Sequence, residues 1–170
     1  MVKAYLRYIQ ESVLSGLFGN LTGIKLVKIK VRGEKTQYMV SACNEVVNFT
    51  NLHTGQVDYQ IYDKEAMHGQ VTCIAVSSYQ IAFGYTSGTV LVYSLEEPDS
   101  LDATEQKKAT QSNFELLHQF SFHKSTVTSM IFSEENTQLI SGGSDTYIVL
   151  YDLVTSTAEY KLMGHSEPIT

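Results

Sequence analysis

Residues 138–153 read QLISGGSDTYIVLYDL, and two other stretches align with them without a gap: 37–52, QYMVSACNEVVNFTNL, and 80–95, QIAFGYTSGTVLVYSL. Each runs from a Gln to a Leu, with an apolar run, a small or polar break, and a second apolar run. That pattern predicts two strands of about five residues around a tight turn. A helix fits poorly. Val, Ile and Tyr dominate, and Gly84, Gly88, Gly142 and Gly143 would each weaken a helix interior by ~1 kcal/mol.

Reading outward from the hairpins, a strand is predicted ahead of each. VTCIAV (71–76) and VTSMIF (127–132) precede the last two, led by His68 and His123. Gly23 to Arg32 precedes the first, with Val27, Ile29 and Val31 alternating with Lys28, Lys30 and Arg32. Arg32 to Lys35 (RGEK) then reads as the turn into Gln37. His123 to His165 is 42 residues, whereas His68 to His123 is 55, an excess of about 13. The excess lies in 96–113, EEPDSLDATEQKKATQSN, a polar stretch that reads as a mobile surface loop. Phe114 to Phe122 follows as a further strand.

The composition excludes several classes. The 170 residues are 43% apolar and 18% charged, which rules out a collagen or a wholly disordered chain. No stretch approaches the ~18 consecutive apolar residues of a membrane-spanning helix. The opening MVKAYLRY carries neither an apolar run nor a small-residue cleavage site, so an intracellular compartment is expected. Cys43 and Cys73 are too few for a disulfide framework and read as plain thiols. The five histidines lack ligand spacing, so neither a metal nor another cofactor is expected. Charge is uneven: residues 1–35 carry a net of +5 and residues 36–170 a net of −11.

A period of ~40–45 residues with four short strands is the mark of a WD40 propeller blade, and here the sequence resembles a known family. The third unit carries most of that signature: His123, then Ser141-Gly142-Gly143-Ser144-Asp145, then Tyr151-Asp152-Leu153 where the family has Trp-Asp, with Gly164-His165 opening the next unit. Such blades need buried polar groups to find partners. The expected structural hydrogen-bond network is therefore His123, Ser141, Asp145 and Tyr151. The same residue types make a hydrolase triad. No G-x-S-x-G elbow is present, however, and the spacing is that of the repeat, so no catalytic residue is assigned. In the gapless alignment the other units hold Asn44 and Ser87 at the aspartate position and Thr50 and Tyr93 at the aromatic one.

The expected fold is all-β, an N-terminal WD40 β-propeller fragment of about three blades plus the start of a fourth. A lead segment covers 1–23. The partial propeller covers 24–170, with blade 1 at about 24–62, blade 2 at about 68–122 (insertion 96–113), blade 3 at about 123–163, and a fourth beginning at 164–170. Propellers close with ~4–8 blades, so a longer parent protein is expected.

Several segments are more particular. Val2-Lys3-Ala4-Tyr5-Leu6-Arg7-Tyr8, Leu17-Phe18-Gly19, Arg32-Gly33-Glu34-Lys35 and Ala42-Cys43-Asn44-Glu45 resemble the N-terminus of the WD-repeat-containing protein three family. That resemblance implies a nuclear, nucleolar, non-enzymatic scaffold of ribosome biogenesis. Its setting would be the small-subunit processome and pre-ribosomal RNA processing. Its partners would be other processome WD-repeat subunits and the U3 small nucleolar ribonucleoprotein (U3 snoRNP), with no membrane and no small-molecule substrate. The alternative is a general WD40 interaction adaptor, such as a signalling or ubiquitin-ligase receptor subunit. Lys28, Lys30 and Arg32 are the candidate RNA contact, since a basic row attracts a phosphate backbone. Edge-strand protection by lysine explains the same row.

Overall fold

The computed structural model describes residues 23–31, 34–62, 67–96 and 114–170. It contains three four-stranded antiparallel sheets. No helix occurs among the described residues. The first sheet holds β1 (Lys25–Val31), β2 (Glu34–Cys43), β3 (Val46–Asn51) and β4 (Val57–Tyr62). The second holds β5 (Val71–Val76), β6 (Gln80–Tyr85), β7 (Val90–Ser94) and β8 (Leu116–Phe120). The third holds β9 (Val127–Phe132), β10 (Gln138–Gly143), β11 (Ile148–Asp152) and β12 (Thr157–Leu162). Within each sheet spatial order follows chain order, so every sheet is a simple meander. The all-β propeller reading is what the structure shows.

Period-2 alternation explains how the sheets stack. Val27, Ile29, Tyr38, Val40, Val47 and Phe49 of the first sheet pack against Ile74, Ile81, Phe83, Tyr85 and Leu91 of the second. The opposite face of the second sheet, with Ala75, Ala82, Val90, Val92 and Phe120, packs against Val127, Leu139, Val149 and Tyr151 of the third. The middle sheet is thus covered on both faces, and every residue of β6 is buried. This is why QIAFGY lacks the polar alternation of a half-buried strand.

Two glycines set the closeness of the stacking. A Cβ on Gly84 would lie 2.6 Å from Cys73 Sγ and 2.9 Å from Val127 Cβ, so the start of β9 rests directly on β6. The Thr72 hydroxyl locks this contact by donating to the carbonyls of Gly84 and Val127. Gly142 repeats the notch in the third sheet, where a Cβ would lie 2.5 Å from Ile169 Cγ2.

The first unit departs from the gapless alignment. Its hairpin pairs Cys43 with Val46 across a two-residue turn, Asn44-Glu45. The other two pair Gly84 with Val90 and Gly142 with Ile148, and their turns close through Tyr85 N–H to Thr89 O and Gly143 N–H to Tyr147 O. With β3 in place, β2 therefore slips by one position. Ala42, which faces the second sheet, takes the place of Gly84 and Gly142. Ser41, not Val40, stands where Ser141 does. Asn44 adopts φ 56°, a left-handed conformation that Asn tolerates, and so makes the short turn possible. Glu34 and Lys35, read from sequence as turn residues, belong to β2 and pair with Val31 and Lys30.

The two outward faces of the stack differ. On the third sheet Ile131, Ile140, Leu150 and Tyr160 form one row across all four strands, with Ile131 64% and Tyr160 62% exposed. On the first sheet the corresponding surface carries Lys28, Lys30, Lys35 and Gln37.

Candidate functional site

The polar residues singled out in the third unit come together. His123 lies in the loop before β9, Ser141 on β10, Asp145 in the β10–β11 turn and Tyr151 on β11. His123 Nδ1 is 2.9 Å from Asp145 Oδ1, and Nε2 is 2.7 Å from Ser141 Oγ. Ser141 Oγ is in turn hydrogen-bonded to Tyr151 Oη at 3.1 Å. A neutral imidazole that donates Nδ1–H to the carboxylate leaves Nε2 to accept from a hydroxyl. Gly143 makes room for this: a Cβ there would lie 2.6 Å from both Asp145 Oδ1 and His123 Nδ1.

Asp145 also accepts the amide N–H of Lys124 at 2.8 Å and that of Tyr147 at 3.4 Å. Burial opposes its charge, but those amides together with the His123 ring outweigh it and hold the carboxyl below its ordinary range. Tyr151 is fully buried and stacks on Phe120 of the second sheet, with ring centroids 4.5 Å apart. Burial raises its phenol to about 12. The network therefore ties four parts of one blade together and docks them on its neighbour. As a catalytic triad the arrangement is poorly placed, because Ser141 is 0% exposed and its hydroxyl is engaged on both sides.

The equivalent positions of the other units carry different chemistry. In the second, Phe83 replaces the serine and packs its ring on Tyr93 at 5.8 Å. Tyr85 stands at the position of Gly143 and lies against His68, with centroids 5.6 Å apart. Ser87 stands in the aspartate position and bonds the Thr89 hydroxyl at 3.1 Å. In the first unit Ser41 and Thr50 are buried, and the turn Asn44-Glu45 is one residue shorter than the turns of the other two units.

Of the basic row, Lys28 and Lys30 are exposed on β1, and Arg32 lies outside the described residues. The sequence analysis missed three features. One is the seating of Val127 on Gly84, for which glycine within a strand is the available signal. The second is His118, whose Nδ1 lies 2.9 Å from Ser156 Oγ and joins β8 to the β11–β12 turn; burial lowers its pKa. The third is Lys35 opposite Lys30. A shallow groove, lined by Cys43, Asn44, Glu45, Val46, Asn48, Gln60 and Gln70, crosses the first hairpin. Among the described residues no group of three or more His, Cys, Asp or Glu could hold a metal, and no helix is long and apolar enough to cross a membrane.

No curated protein sequence matches the chain. Among solved structures, it is similar to the WD40 repeats of RRP9, with TM-score 0.61 and 18% identity over 85% of this chain and 43% of that one. It is similar to U3-55K, with TM-score 0.60 and 17% identity over the same 85% and 43%. A chain of the mitotic checkpoint complex gives TM-score 0.59 and 14% identity, over 77% and 36%. At these identities the likeness concerns the fold. The chain spans less than half the length of each of these structures. The sequence model of one family, described as the nucleolar protein 10-like N-terminal domain, matches residues 27–170. It supports the nucleolar propeller class read from the sequence, and not the particular member, WD-repeat-containing protein three. With 27–170 covered, the chain belongs to the nucleolar protein 10-like N-terminal β-propeller family.

Proposed function

We propose that the chain serves as a non-catalytic WD40 scaffold in ribosome biogenesis, in the nucleolus, as part of the small-subunit processome. Its partners in this reading are other processome WD-repeat subunits and the U3 snoRNP, as the resemblance of its opening segments to the WD-repeat-containing protein three family suggests. The observation that carries the reading is the nucleolar family match over 27–170. The opening KAYLRY and the RGEK and ACNE segments lend it support. The burial of His123, Ser141 and Tyr151 in the network with Asp145 supports the non-catalytic part, since none of these three is presented to solvent. Lys28 and Lys30 remain the described part of the candidate RNA contact.

The test is capture of the tagged chain from cells, with sequencing of the co-purified RNA and microscopy of the same tag. The scaffold reading expects nucleolar signal and enrichment of U3 RNA over cytosolic RNAs. A diffuse cytosolic signal without that enrichment would contradict it and favour a general interaction adaptor.

A further inference from the structure

We propose that the free edge of β8 is a docking site for an extended, lysine- or arginine-bearing segment of a partner protein, which adds to the second sheet as a further strand. The inference rests on the scaffold reading above and gives it a mode of assembly. Among the described residues β8 pairs with β7 alone. The second sheet is covered on both faces by its neighbours, so this edge lies on the rim of the stack. Further blades pack face to face and leave it open.

The last strands of the three sheets treat their edges differently. Exposed edges are commonly blunted by charged side chains. β4 carries Asp58, and β12 carries Glu159 and Lys161. β8, LLHQF, carries no Asp, Glu, Lys or Arg, and exposes Leu116 at 44% and Leu117 at 37%. A bulge interrupts the pairing of all three strands, and its extra residue is Asp58, Leu117 or Glu159. Each acid there meets a donor from the second strand of its sheet: Tyr38 Oη donates to Asp58, and Gln138 Nε2 to Glu159. Gln80 holds the matching position, opposite Ser94 as Gln138 is opposite Asp152. Leu117 offers it nothing. Gln80 is 7% exposed and keeps Oε1 buried with no hydrogen-bond partner among the described residues. Such an atom destabilises the fold until a donor reaches it.

The chemistry of the occupant follows. An added strand takes affinity from main-chain hydrogen bonds to the free edge and selectivity from its side chains. A cation carrying N–H donors, placed beside Leu117, would satisfy Gln80 Oε1. Exposed acids lie at the start of β8: Glu115 immediately precedes it, and Glu96 follows β7, where the Ser94 amide donates to the Glu115 carbonyl. The described part of this unit, 67–96 and 114–122, holds no Lys or Arg. A basic segment is therefore complementary in charge, and apolar side chains alternating with its cations cover the two leucines.

The experiment is fluorescence anisotropy of the full chain with a dye-bearing decapeptide of alternating Lys and Val, joined to amide hydrogen exchange of the same mixture. The peptide should bind, and exchange in β8 should slow. N-methylation of the peptide's backbone amides removes its strand donors and keeps its charge, and should weaken binding by about tenfold or more. A decapeptide alternating Glu and Val should lose as much. Leu117→Lys, which gives β8 a charge as its sister strands have, should also cost about tenfold or more. Met67→Lys, in the loop ahead of β5, should leave affinity unchanged. Gln80→Met should weaken binding while raising the Tm, a pairing that a purely structural glutamine would not give. Equal affinity for the N-methylated peptide, or in Leu117→Lys, overturns the proposal. So does a chain that binds neither peptide or prefers the acidic one. A dimer in sedimentation that Leu117→Lys dissolves overturns it as well, and assigns the edge to a second copy of the chain. In any of these cases the scaffold reading stands or falls separately, on its own capture experiment.

Discussion

The second and third sheets have the same strand order and nearly the same register, yet they fix their hairpins by different chemistry. The third uses a polar chain from Asp145 through His123 and Ser141 to Tyr151. The second replaces it with rings, Phe83 on Tyr93 and Tyr85 on His68. In the second sheet the rings lie in a layer covered on both faces among the described residues, where each large side chain contributes about 1.5–3 kcal/mol. In the third the hydrogen bonds tie the leading loop to β10, β11 and the turn between them. A propeller unit thus holds the same hairpin with either chemistry.

The contact both sheets share should be the most sensitive. Gly84→Val inserts atoms where even a Cβ lies 2.6 Å from Cys73 Sγ. Overpacking of this kind costs about 1–3 kcal/mol or more, read as a lower urea midpoint. Gly23→Ala, with nothing within 4 Å of its Cβ, should leave the midpoint unchanged.

Breaking the polar chain should cost slightly less. Asp145→Ala leaves His123 Nδ1 and the Lys124 amide without their acceptor, a loss of about 1–2 kcal/mol in urea unfolding. The reciprocal change sharpens the comparison. Ser87→Asp places an acid at the equivalent turn of the second sheet, but Tyr85 stands at the position of Gly143. It should therefore give no stabilisation.

The pH dependence follows from the same carboxylate. Its pKa is depressed in the folded chain, so the native state holds fewer protons on it than the unfolded one. The stability it contributes is full above the unfolded carboxyl pKa of about 3.9 and is lost as pH falls through the lower folded value. Asp145→Asn should flatten the acid limb of stability against pH. Smallest of all, Ser156→Ala removes the bond from His118 and should cost about 0.5 kcal/mol.

Much of this was legible in the sequence, because repetition exposes what a single copy hides. His123, Ser141, Asp145 and Tyr151 could be grouped by their places in the third unit, and the structure brings all four into contact. The register of β2 was not legible. A turn shortened by one residue leaves the apolar runs intact, and only strand pairing shows that Ser41 rather than Val40 matches Ser141. Nor was the place of Lys35, which stands opposite Lys30 only once β1 folds back against β2. Glycines 84 and 142 argued against helix in the sequence, and their larger role as seats for Val127 and Ile169 required the neighbouring strand.

Amide hydrogen exchange, resolved by strand, tests the central claim most directly, because it asks whether one sheet is sandwiched between two others. The account predicts the slowest exchange in β6, faster exchange in the outer strands β4 and β12, and, in Asp145→Ala, loosening confined to residues 123–126 and 143–147. Exchange in β6 as rapid as in β12 would contradict it.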